Sequence, residues 1–348
     1  MLNLKTTSKY KCILISSMII FIIVFISAVI FGSVGISVID VSKIIGNKIF
    51  AFINTQGISD SAIIIIGNIR LPRVILTCFI GAGLSIAGAT AQGLLKNPLA
   101  DGSTLGIASG ASLGAVIAIA LGIQIPFIPQ FGIMIMSMLF GFLSFLVILG
   151  FSKKIDKSYS TNTIILTGVI FSMFSASITS LIIALSNENA TKQIVFWSMG
   201  SFSGTSFSKV NFVVPIILIA TLVLVRYSKE LDAFSFGEEQ AKYIGVNVKR
   251  TKIIILIMIS IIVGVSVASC GSIAFVGLAV PHIARSVVGP SHVRLLPVSI
   301  FFGASFMTLA DLISRTIISP RELPVGVITS FVGAIVFMTV FYSKRQKT

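Results

Sequence analysis

Long apolar segments recur throughout this chain of 348 residues, and few of the residues inside them are charged. The first extends from Cys12 to Phe31. The others cover residues 74–95, 103–122, 131–151, 162–185, 211–227, 252–270, 274–288, 295–315 and 323–343. Each is close to the ~20 residues that a helix needs to cross ~30 Å of hydrocarbon, although 274–288 is short. The pattern predicts an all-α, polytopic integral membrane protein of about ten transmembrane helices, forming one domain over residues 1–348.

The basic residues lie mostly in the short loops between these segments. The net charge is +15, but clusters such as Lys153-Lys154 and Lys249-Arg250 stand directly beside apolar runs. An excess of Lys and Arg in short loops is typical of the cytoplasmic side of membrane proteins. We therefore expect a multi-pass membrane protein with both termini in the cytoplasm and no role in binding nucleic acid. The bias towards Ile, Lys and Asn is typical of an AT-rich bacterial genome, which makes a bacterial cell membrane the expected location.

Two less apolar segments, 32–68 and 187–209, are each predicted to contain one short helix. In the first segment the helix covers about residues 41–52. In the second it includes Trp197, because tryptophan favours the interface between membrane and water.

Small residues repeat at helical spacing in the second and third apolar segments. One face of the second carries Gly83, Ala87 and Ala91. The equivalent face of the third carries Gly106, Gly110, Gly114, Ala118 and Gly122. In lipid, small residues let helix backbones approach closely, and that packing holds helices together. These two helices are therefore expected to be surrounded by other helices.

Residues 228–251 form a sizeable loop on the predicted cytoplasmic side. Ser235 followed by Glu238 matches a capping box, which predicts a helix over residues 236–244. Gly245 can adopt the left-handed conformation that ends such a helix. A helix this short is marginal alone in water, so a docking partner is expected to stabilise it.

Three arginines lie at the predicted outer ends of apolar segments. Arg70 and Arg73 bracket Leu71-Pro72, where the proline is expected to keep the backbone extended and to let both side chains face outwards. Asp311 stands four residues before Arg315, a spacing at which the two side chains can pair on one helix face. The segments LPRVILTCFIGA and LPVGVITSFVGA, from Leu71 and Leu323, are also alike, and internal repeats are common in transporters.

Enzymatic chemistry has no visible basis in the sequence. No GxxxxGK[ST] phosphate-binding loop occurs, so the chain is not expected to bind ATP in that way. His282 and His292 have no metal-ligand spacing, and the three cysteines do not indicate a disulfide framework. An intramembrane hydrolase would need a nucleophile with a base, or a metal pair. An ion-coupled secondary transporter would need carboxylates near the middle of the membrane, for which Asp311 is the candidate.

Several stretches resemble the FecCD-type permeases, the membrane subunits of bacterial ABC importers for ferric siderophores, haem and cobalamin. The stretch RLPRVILTCFIGAGLSIAGATAQGLLKNPLADGSTLG resembles the opening signature of the family, and FWSMGSFSG a later one. FGEEQAKYIGV resembles the loop that docks on the ATPase subunit. GSIAFVGLAVPHIARSVVG and ELPVGVITSFVGA resemble the carboxyl-terminal signature, although Ser272 and Ala274 replace residues that are usual in the family.

The resemblance implies the cobalamin/siderophore-importer permease fold and a transport role without a cofactor or catalytic site. Two permeases, identical or sister chains, would enclose a pathway in the lipid bilayer, with cytoplasmic ABC ATPase subunits attached. An extracytoplasmic binding protein would dock at Arg70, Arg73 and Arg315. The residues implied to contact the ATPase are Gly237, Glu238, Glu239, Ala241 and Gly245, and those implied to lie at the gate are Ser160, Thr161 and Asn162. An iron chelate is the expected substrate, with cobalamin as the alternative.

Overall fold

A computed structural model describes residues 2–50, 55–102, 104–126, 128, 131–156 and 160–345. All regular structure in these ranges is helical. The α-helices are α1 (Leu2–Ile30), α2 (Val38–Phe50), α3 (Asp60–Ile64), α4 (Leu71–Leu94), α5 (Ile107–Ala120), α6 (Gly132–Ile155), α7 (Thr161–Leu185), α8 (Glu188–Ser198), α9 (Phe207–Arg226), α10 (Ser228–Ser235), α11 (Glu238–Tyr243), α12 (Val248–Cys270), α13 (Val276–Val288), α14 (His292–Thr316) and α15 (Val325–Arg345). A π-helical turn, Ile65–Arg70, joins α3 to α4.

The predicted membrane segments correspond to apolar helices. Within the described ranges, seven stretches are long and apolar enough to cross a bilayer: Ser8–Ile30, Asp60–Leu94, Gly132–Ile155, Thr161–Leu185, Phe207–Arg226, Val248–Cys270 and His292–Thr316. Three shorter apolar helices account for the other predicted segments: Ile107–Ala120, Val276–Val288 and Val325–Thr339. The prediction of an all-α, polytopic membrane protein is confirmed.

The two predicted short helices also form. The first, α2, begins at Val38 and so starts earlier than predicted, and residues 51 and 52 lie outside the described part of the chain. The second, α8, begins after Asn187, whose side chain accepts a hydrogen bond from the backbone N–H of Ala190. This is the usual way in which an asparagine caps the start of a helix.

The third apolar helix starts later than the sequence predicts, at Ile107 rather than at residue 103. Asp101 and Thr104 form a turn in which the Asp101 N–H donates to Thr104 Oγ1 (3.0 Å) and the Thr104 N–H donates to Asp101 Oδ1 (3.1 Å). Gly106 then adopts a left-handed conformation with φ 72° before α5 begins. Glycine takes this conformation without a steric penalty, and a helix cannot continue through it.

Helix α4 is the buried centre of the bundle and packs against α9, α12, α13 and α14. A Cβ atom on Gly81 would clash with the carbonyl group of Gly303 in α14, and one on Gly88 would clash with that of Gly277 in α13. The backbones therefore touch at these points, as small residues allow in lipid. The prediction that neighbouring helices surround α4 is confirmed, although Gly81 and Gly88 lie outside the predicted small-residue face.

Helices α5 and α6 approach each other through the small residues of α5. A Cβ atom on Gly110 would clash with Ser144, and one on Gly114 with the carbonyl group of Met136. This confirms the packing role of the small-residue face of α5. That face is shorter than predicted, because Gly106 precedes the helix and Gly122 follows it in open space.

The chain enters α4 as a helix, so the prediction of an extended backbone at Pro72 is wrong. Leu71 has helical angles, φ −62° and ψ −50°, and Pro72 lies in the first turn of α4. A proline within a helix lacks an N–H donor, and its ring clashes with the preceding turn. The π-helical turn Ile65–Arg70 widens the helix directly before Pro72, which gives the ring room.

Helices α4 and α14 run antiparallel and define the two ends of the bundle. At one end Arg73 of α4 contacts Asp311 of α14, and we call this the arginine end. At the other end Gly93 of α4 faces the ring of His292 at the start of α14. We call this the loop end, because α10 and its residue Asp232 meet His292 there. With ~1.5 Å per residue, the 25 residues of α14 separate the two ends by ~37 Å.

Candidate docking and coupling sites

Arg73 is the centre of a buried ionic network at the arginine end. Its Nε donates to Asp311 Oδ1 (2.9 Å), and its Nη1 donates to both carboxylate oxygens of Glu322 (2.9 Å each). The arginine is only 6% exposed. A planar guanidinium is well suited to hold two carboxylates at once, because its donors point in fixed directions.

Arg315 and Arg70 are also buried, and both bind the end of α1 and the loop that follows it. Arg315 donates to the carbonyl oxygens of Ala28 and Phe31, and its Nε lies 3.2 Å from Asp311 Oδ2. Arg70 donates to the carbonyl oxygens of Val29, Ile30 and Val34. Ala28, Val29 and Ile30 lie in the last turn of α1, where a helix has no internal donors for its carbonyl groups, and Phe31 and Val34 follow it.

The structure therefore confirms one prediction at this end and corrects another. Asp311 and Arg315 pair across one helical turn, as their spacing predicts. The expectation that the side chains of Arg70 and Arg73 face outwards is wrong, because both, like that of Arg315, are buried by internal partners. Arg321, beside Glu322, is exposed at this end. The role of the three buried arginines in docking stays a prediction.

The loop end carries the 228–251 segment, which folds differently from its prediction in one respect. Ser235 is the last residue of α10 and its hydroxyl donates back to Leu231, so no capping box forms with Glu238. Helix α11 starts instead after Gly237, whose φ of 125° is open to glycine alone among the common residues. The chain favours α10 because Leu231 and Phe234 bury their side chains against the bundle.

The end of α11 forms as predicted. Gly245 has φ 91°, its N–H donates to Lys242 O (3.0 Å), and the N–H of Val246 donates to Ala241 O (3.0 Å). These two hydrogen bonds define a Schellman motif, which satisfies carbonyl groups at the end of the helix. Glu238 forms an ion pair with Lys252 at 2.7 Å, which ties α11 to the start of α12.

An exposed apolar surface surrounds α11, and we call it the α11 patch. It consists of Phe236, Tyr243 and Ile244, which are 79%, 89% and 71% exposed. In the same helix Ala241 is buried and Glu239 is exposed. Three large apolar side chains this exposed on a short connecting segment make it a candidate interaction surface.

Asp232 makes a contact at the loop end that the sequence reasoning missed. Its carboxylate accepts hydrogen bonds from the backbone N–H of His292, from Ser291 Oγ (2.7 Å) and from His292 Nδ1 (2.9 Å). Burial raises the pKa of this carboxyl, but the hydrogen bonds from His292 and Ser291 lower it by more, to about 2. The partners lie 59 and 60 residues apart, so no local pattern in the sequence could indicate the contact.

A second missed contact joins α4 to α13. Gln92 Nε2 donates to Gly277 O (3.2 Å), and its Oε1 accepts from Arg285 (3.1 Å). Pro281 lies four residues after Gly277 and has no N–H to offer that carbonyl group. The proline in an apolar helix was the available signal, because it predicts an orphan carbonyl that another side chain must satisfy.

The predicted gate residues begin α7 at the loop end. Ser160 precedes the helix, and its hydroxyl lies 2.8 Å from Thr163 Oγ1. Thr161 is half-buried and Asn162 is exposed. Only 11% of the most apolar part of α7 is buried, so most of the surface of this helix is not covered by the described bundle.

No cluster of His, Cys, Asp or Glu suited to a metal ion occurs among the residues that the structure covers.

Comparison with known proteins identifies similar chains over most of the length. A family model described as the FecCD transport family matches residues 19–343. The chain is 47% identical to YvrB, an uncharacterised ABC transporter permease protein of Bacillus subtilis (strain 168), over 80% of this chain and 79% of YvrB.

Two further relatives are named for their substrates. The chain is 36% identical to the cobalamin import system permease protein BtuC of Halobacterium salinarum, over 84% of this chain and 77% of BtuC. It is also 36% identical to the Fe(3+) dicitrate transport system permease protein FecD of Escherichia coli (strain K12), over 79% of this chain and 84% of FecD.

A solved structure of an inward-facing conformation of a proposed metal-chelate type ABC transporter has a similar fold. The TM-score is 0.84 at 29% sequence identity, and the match covers 96% of this chain and 99% of that one.

Proposed function

Because the chain belongs to the FecCD transport family, we propose that it is the membrane permease subunit of an ABC importer for an iron chelate, either a siderophore complex or haem. The observation that carries the proposal is the family match over residues 19–343, which begins within α1, ends within the last turn of α15 and includes the other apolar helices in full. Members of this family are permease subunits rather than enzymes, and this chain is a multi-pass membrane protein of the same fold. ATP hydrolysis belongs to a separate subunit.

The loop end is proposed to face the cytoplasm and to bind the ABC ATPase. Its support is the α11 patch, an exposed apolar surface on a segment that the ion pair Glu238–Lys252 and the Schellman motif hold in place. Gly237 and Gly245 have positive φ values and set the two ends of α11, while Ala241 anchors it. Glu239 is exposed and can contact the partner directly.

The arginine end is proposed to face outwards and to dock the extracytoplasmic binding protein. Since Arg70, Arg73 and Arg315 are engaged internally, we assign them a supporting role: they hold the chain after α1 and Glu322 in position. Arg321 is exposed and can meet a carboxylate of the partner. Arg321→Glu is expected to weaken association with the binding protein and to leave the fold intact.

A second permease copy or a sister permease is proposed to complete the pathway. Helix α7 exposes a row of apolar side chains that includes Leu166, Ile170 and Met173. With so little of α7 covered, lipid and a second permease are its available neighbours in a membrane. Ser160, Thr161 and Asn162 at the loop end of this helix are the proposed gate residues.

We propose an iron chelate as the substrate in preference to cobalamin. FecD and the metal-chelate type transporter support the iron chelate. BtuC is as similar in sequence as FecD is, and this observation makes cobalamin the second candidate. An ion-coupled secondary transporter is less well supported, because Asp311 is paired with Arg73 and Arg315 rather than available to a coupling ion.

The experiment that tests the substrate measures binding of ferric hydroxamates, ferric catecholates, haem and cobalamin to the partner binding protein by calorimetry. We expect one ferric chelate or haem to bind at least about tenfold more tightly than cobalamin, a difference of about 1.4 kcal/mol. Tighter binding of cobalamin would replace the iron chelate with the second candidate.

A further inference from the structure

The start of α14 is capped by a residue from another helix. A helix leaves its first N–H groups without internal partners, and the residue before it often supplies a side-chain acceptor. Ser291 stands in that position but does not cap the helix. Its hydroxyl donates to Asp232 of α10, and the same carboxylate accepts the backbone N–H of His292. A negative charge at this position is further stabilised by the helix dipole.

His292 strengthens the connection between α10 and α14. Its Nδ1 lies 2.9 Å from Asp232 Oδ1, and the side chain is 4% exposed. The ring fits because Gly93 of α4 has no side chain, and a Cβ atom there would clash with His292 Nε2. Any displacement of α10 must therefore move the first turn of α14 or break its cap.

Helix α10 ends at Ser235, directly before Phe236 of the α11 patch. The N–H of Gly237 donates to Phe234 O (3.1 Å), which closes the turn between α10 and α11. Leu231 and Phe234 are fully buried, so α10 sits firmly on the bundle. Asp232 lies between these two anchors, on the short helix that leads from the patch to α14.

The opposite end of α14 carries the ionic network of the arginine end. Asp311 contacts Arg73 and Arg315, and Arg73 holds Glu322 from the chain before α15. Between the two ends, Gly303 of α14 packs directly on Gly81 of α4. One continuous helix therefore connects the α10 contact with the arginine network.

We propose that α14 transmits movement between the α11 patch and the arginine end, with Asp232 and His292 as the positioning residues that connect α10 to α14. The inference rests on the proposed function, because the movement would start where the ATPase binds. The physical basis is a chain of packed contacts along α14, since packed side chains and rigid helices are elements through which distant sites can be coupled.

The test places a reporter at the arginine end and breaks the contact at the loop end. Cys12 is the exposed cysteine and Cys78 and Cys270 are buried, so Cys12→Ser gives a background for labelling. Ile317→Cys, at an exposed position after α14, carries an environment-sensitive fluorophore. The complex with its co-purified ATPase is placed in nanodiscs, and the emission is recorded before and after ATP with vanadate.

We expect nucleotide to change the emission in this background, and His292→Leu to lose most of that change, because this variant lacks the ring that connects α10 to α14. His292→Asn keeps a donor near the position of Nδ1 and should retain most of the change. Glu230→Gln is the matched control, because it removes a carboxylate on α10 whose ion-pair partner is Arg226 rather than a residue of α14.

Three results would overturn the inference: a full change in His292→Leu, an equal loss in Glu230→Gln, or no change in the labelled background although the ATPase co-purifies. If His292→Leu does not assemble, His292→Gln answers the same question, because its amide reaches the position of Nε2 rather than that of Nδ1. Failure of the ATPase to co-purify with the unsubstituted chain would contradict the proposed function itself.

Discussion

Arg73 joins three parts of the chain, because it holds Asp311 from α14 and Glu322 from the chain before α15 while itself belonging to α4. Removing one partner of a buried ion pair leaves an uncompensated charge and costs about 3–5 kcal/mol. Arg73→Ala should therefore lower the thermal stability of the solubilised permease strongly, and Arg73→Lys should lower it less, since lysine keeps the charge but loses the bidentate geometry.

The matched control for this prediction is Arg321→Ala, which removes an exposed arginine at the same end. Such a surface change should alter stability by no more than about 0.5 kcal/mol. Thermal unfolding in detergent measures both variants. Equal stability of Arg73→Ala and Arg321→Ala would show that the network does not hold the arginine end together.

The carboxylate of Asp232 predicts that the stability of the permease depends on pH. Its pKa in the folded protein is about 2, below the ordinary value of 3.8. A lowered pKa stabilises the folded state above the ordinary value, and that stability is lost as the pH falls through the folded value. Asp232→Asn should therefore melt at a lower temperature than the unsubstituted permease at pH 5–8, with the difference shrinking from about pH 4 to about pH 2. A difference that does not depend on pH would contradict the role of the charge.

Single contacts could be predicted from the sequence only where the partners are close along the chain. Asp311 and Arg315 stand one helical turn apart, and their pair was predictable. Arg73 and Glu322 are 249 residues apart, and Asp232 and His292 are 60 apart. Their meeting depends on how α4, α10, α14 and α15 pack, which the pattern of one chain does not specify.

At the scale of elements, the contact between α5 and α6 predicts intolerance of bulk. Gly110→Leu would push Ser144 and α6 away, because a Cβ atom already clashes there. We expect a loss of folded protein in detergent chromatography rather than a selective loss of transport. Gly150→Leu in α6 is the matched control, since nothing lies near the position of its Cβ atom. A well-folded Gly110→Leu would mean that the two helices can separate without cost.

A substitution at the end of α11 is expected to impair assembly with the ATPase. Gly245 has φ 91°, which a β-branched residue avoids, so Gly245→Val should disrupt the Schellman motif and displace the α11 patch. Gly245→Asn should be milder, because asparagine tolerates left-handed angles better than most residues other than glycine. Co-purification with the ATPase measures the effect, and the membrane fraction checks insertion. Wild-type recovery of the ATPase with Gly245→Val would argue against docking at this patch.

The elements themselves were predictable to within a few residues where long apolar runs specify them, except that α1 begins at Leu2, ten residues before the first apolar run. The errors have local causes. Ser235 matches a capping pattern, but Leu231 and Phe234 gain more by packing on the bundle as part of α10. Pro72 favours an extended residue before it, but the π-helical turn accommodates its ring within a continuous helix. In both cases packing overrides a local preference.

On the scale of the whole molecule, the family and the fold could be predicted because signature stretches occur in order along the chain. The burial of Arg70, Arg73 and Arg315 could not be predicted, since an arginine at the end of an apolar segment can face water or the protein interior. Burial depends on the chain after α1 and on Glu322, which cover these side chains only in the folded bundle.

Uptake of a ferric chelate into proteoliposomes tests most directly the claim that this chain is the permease of an ATP-driven importer. The permease is reconstituted alone and together with its ATPase and binding protein, with radioactive ferric chelate outside and ATP inside. We predict that the chelate accumulates only in the full complex, stops when ATP is omitted, and does not respond to an ion gradient. The permease alone should hydrolyse no ATP, because its sequence has no phosphate-binding loop. Accumulation by the permease alone under an ion gradient, or ATP hydrolysis without the ATPase subunit, would contradict the account.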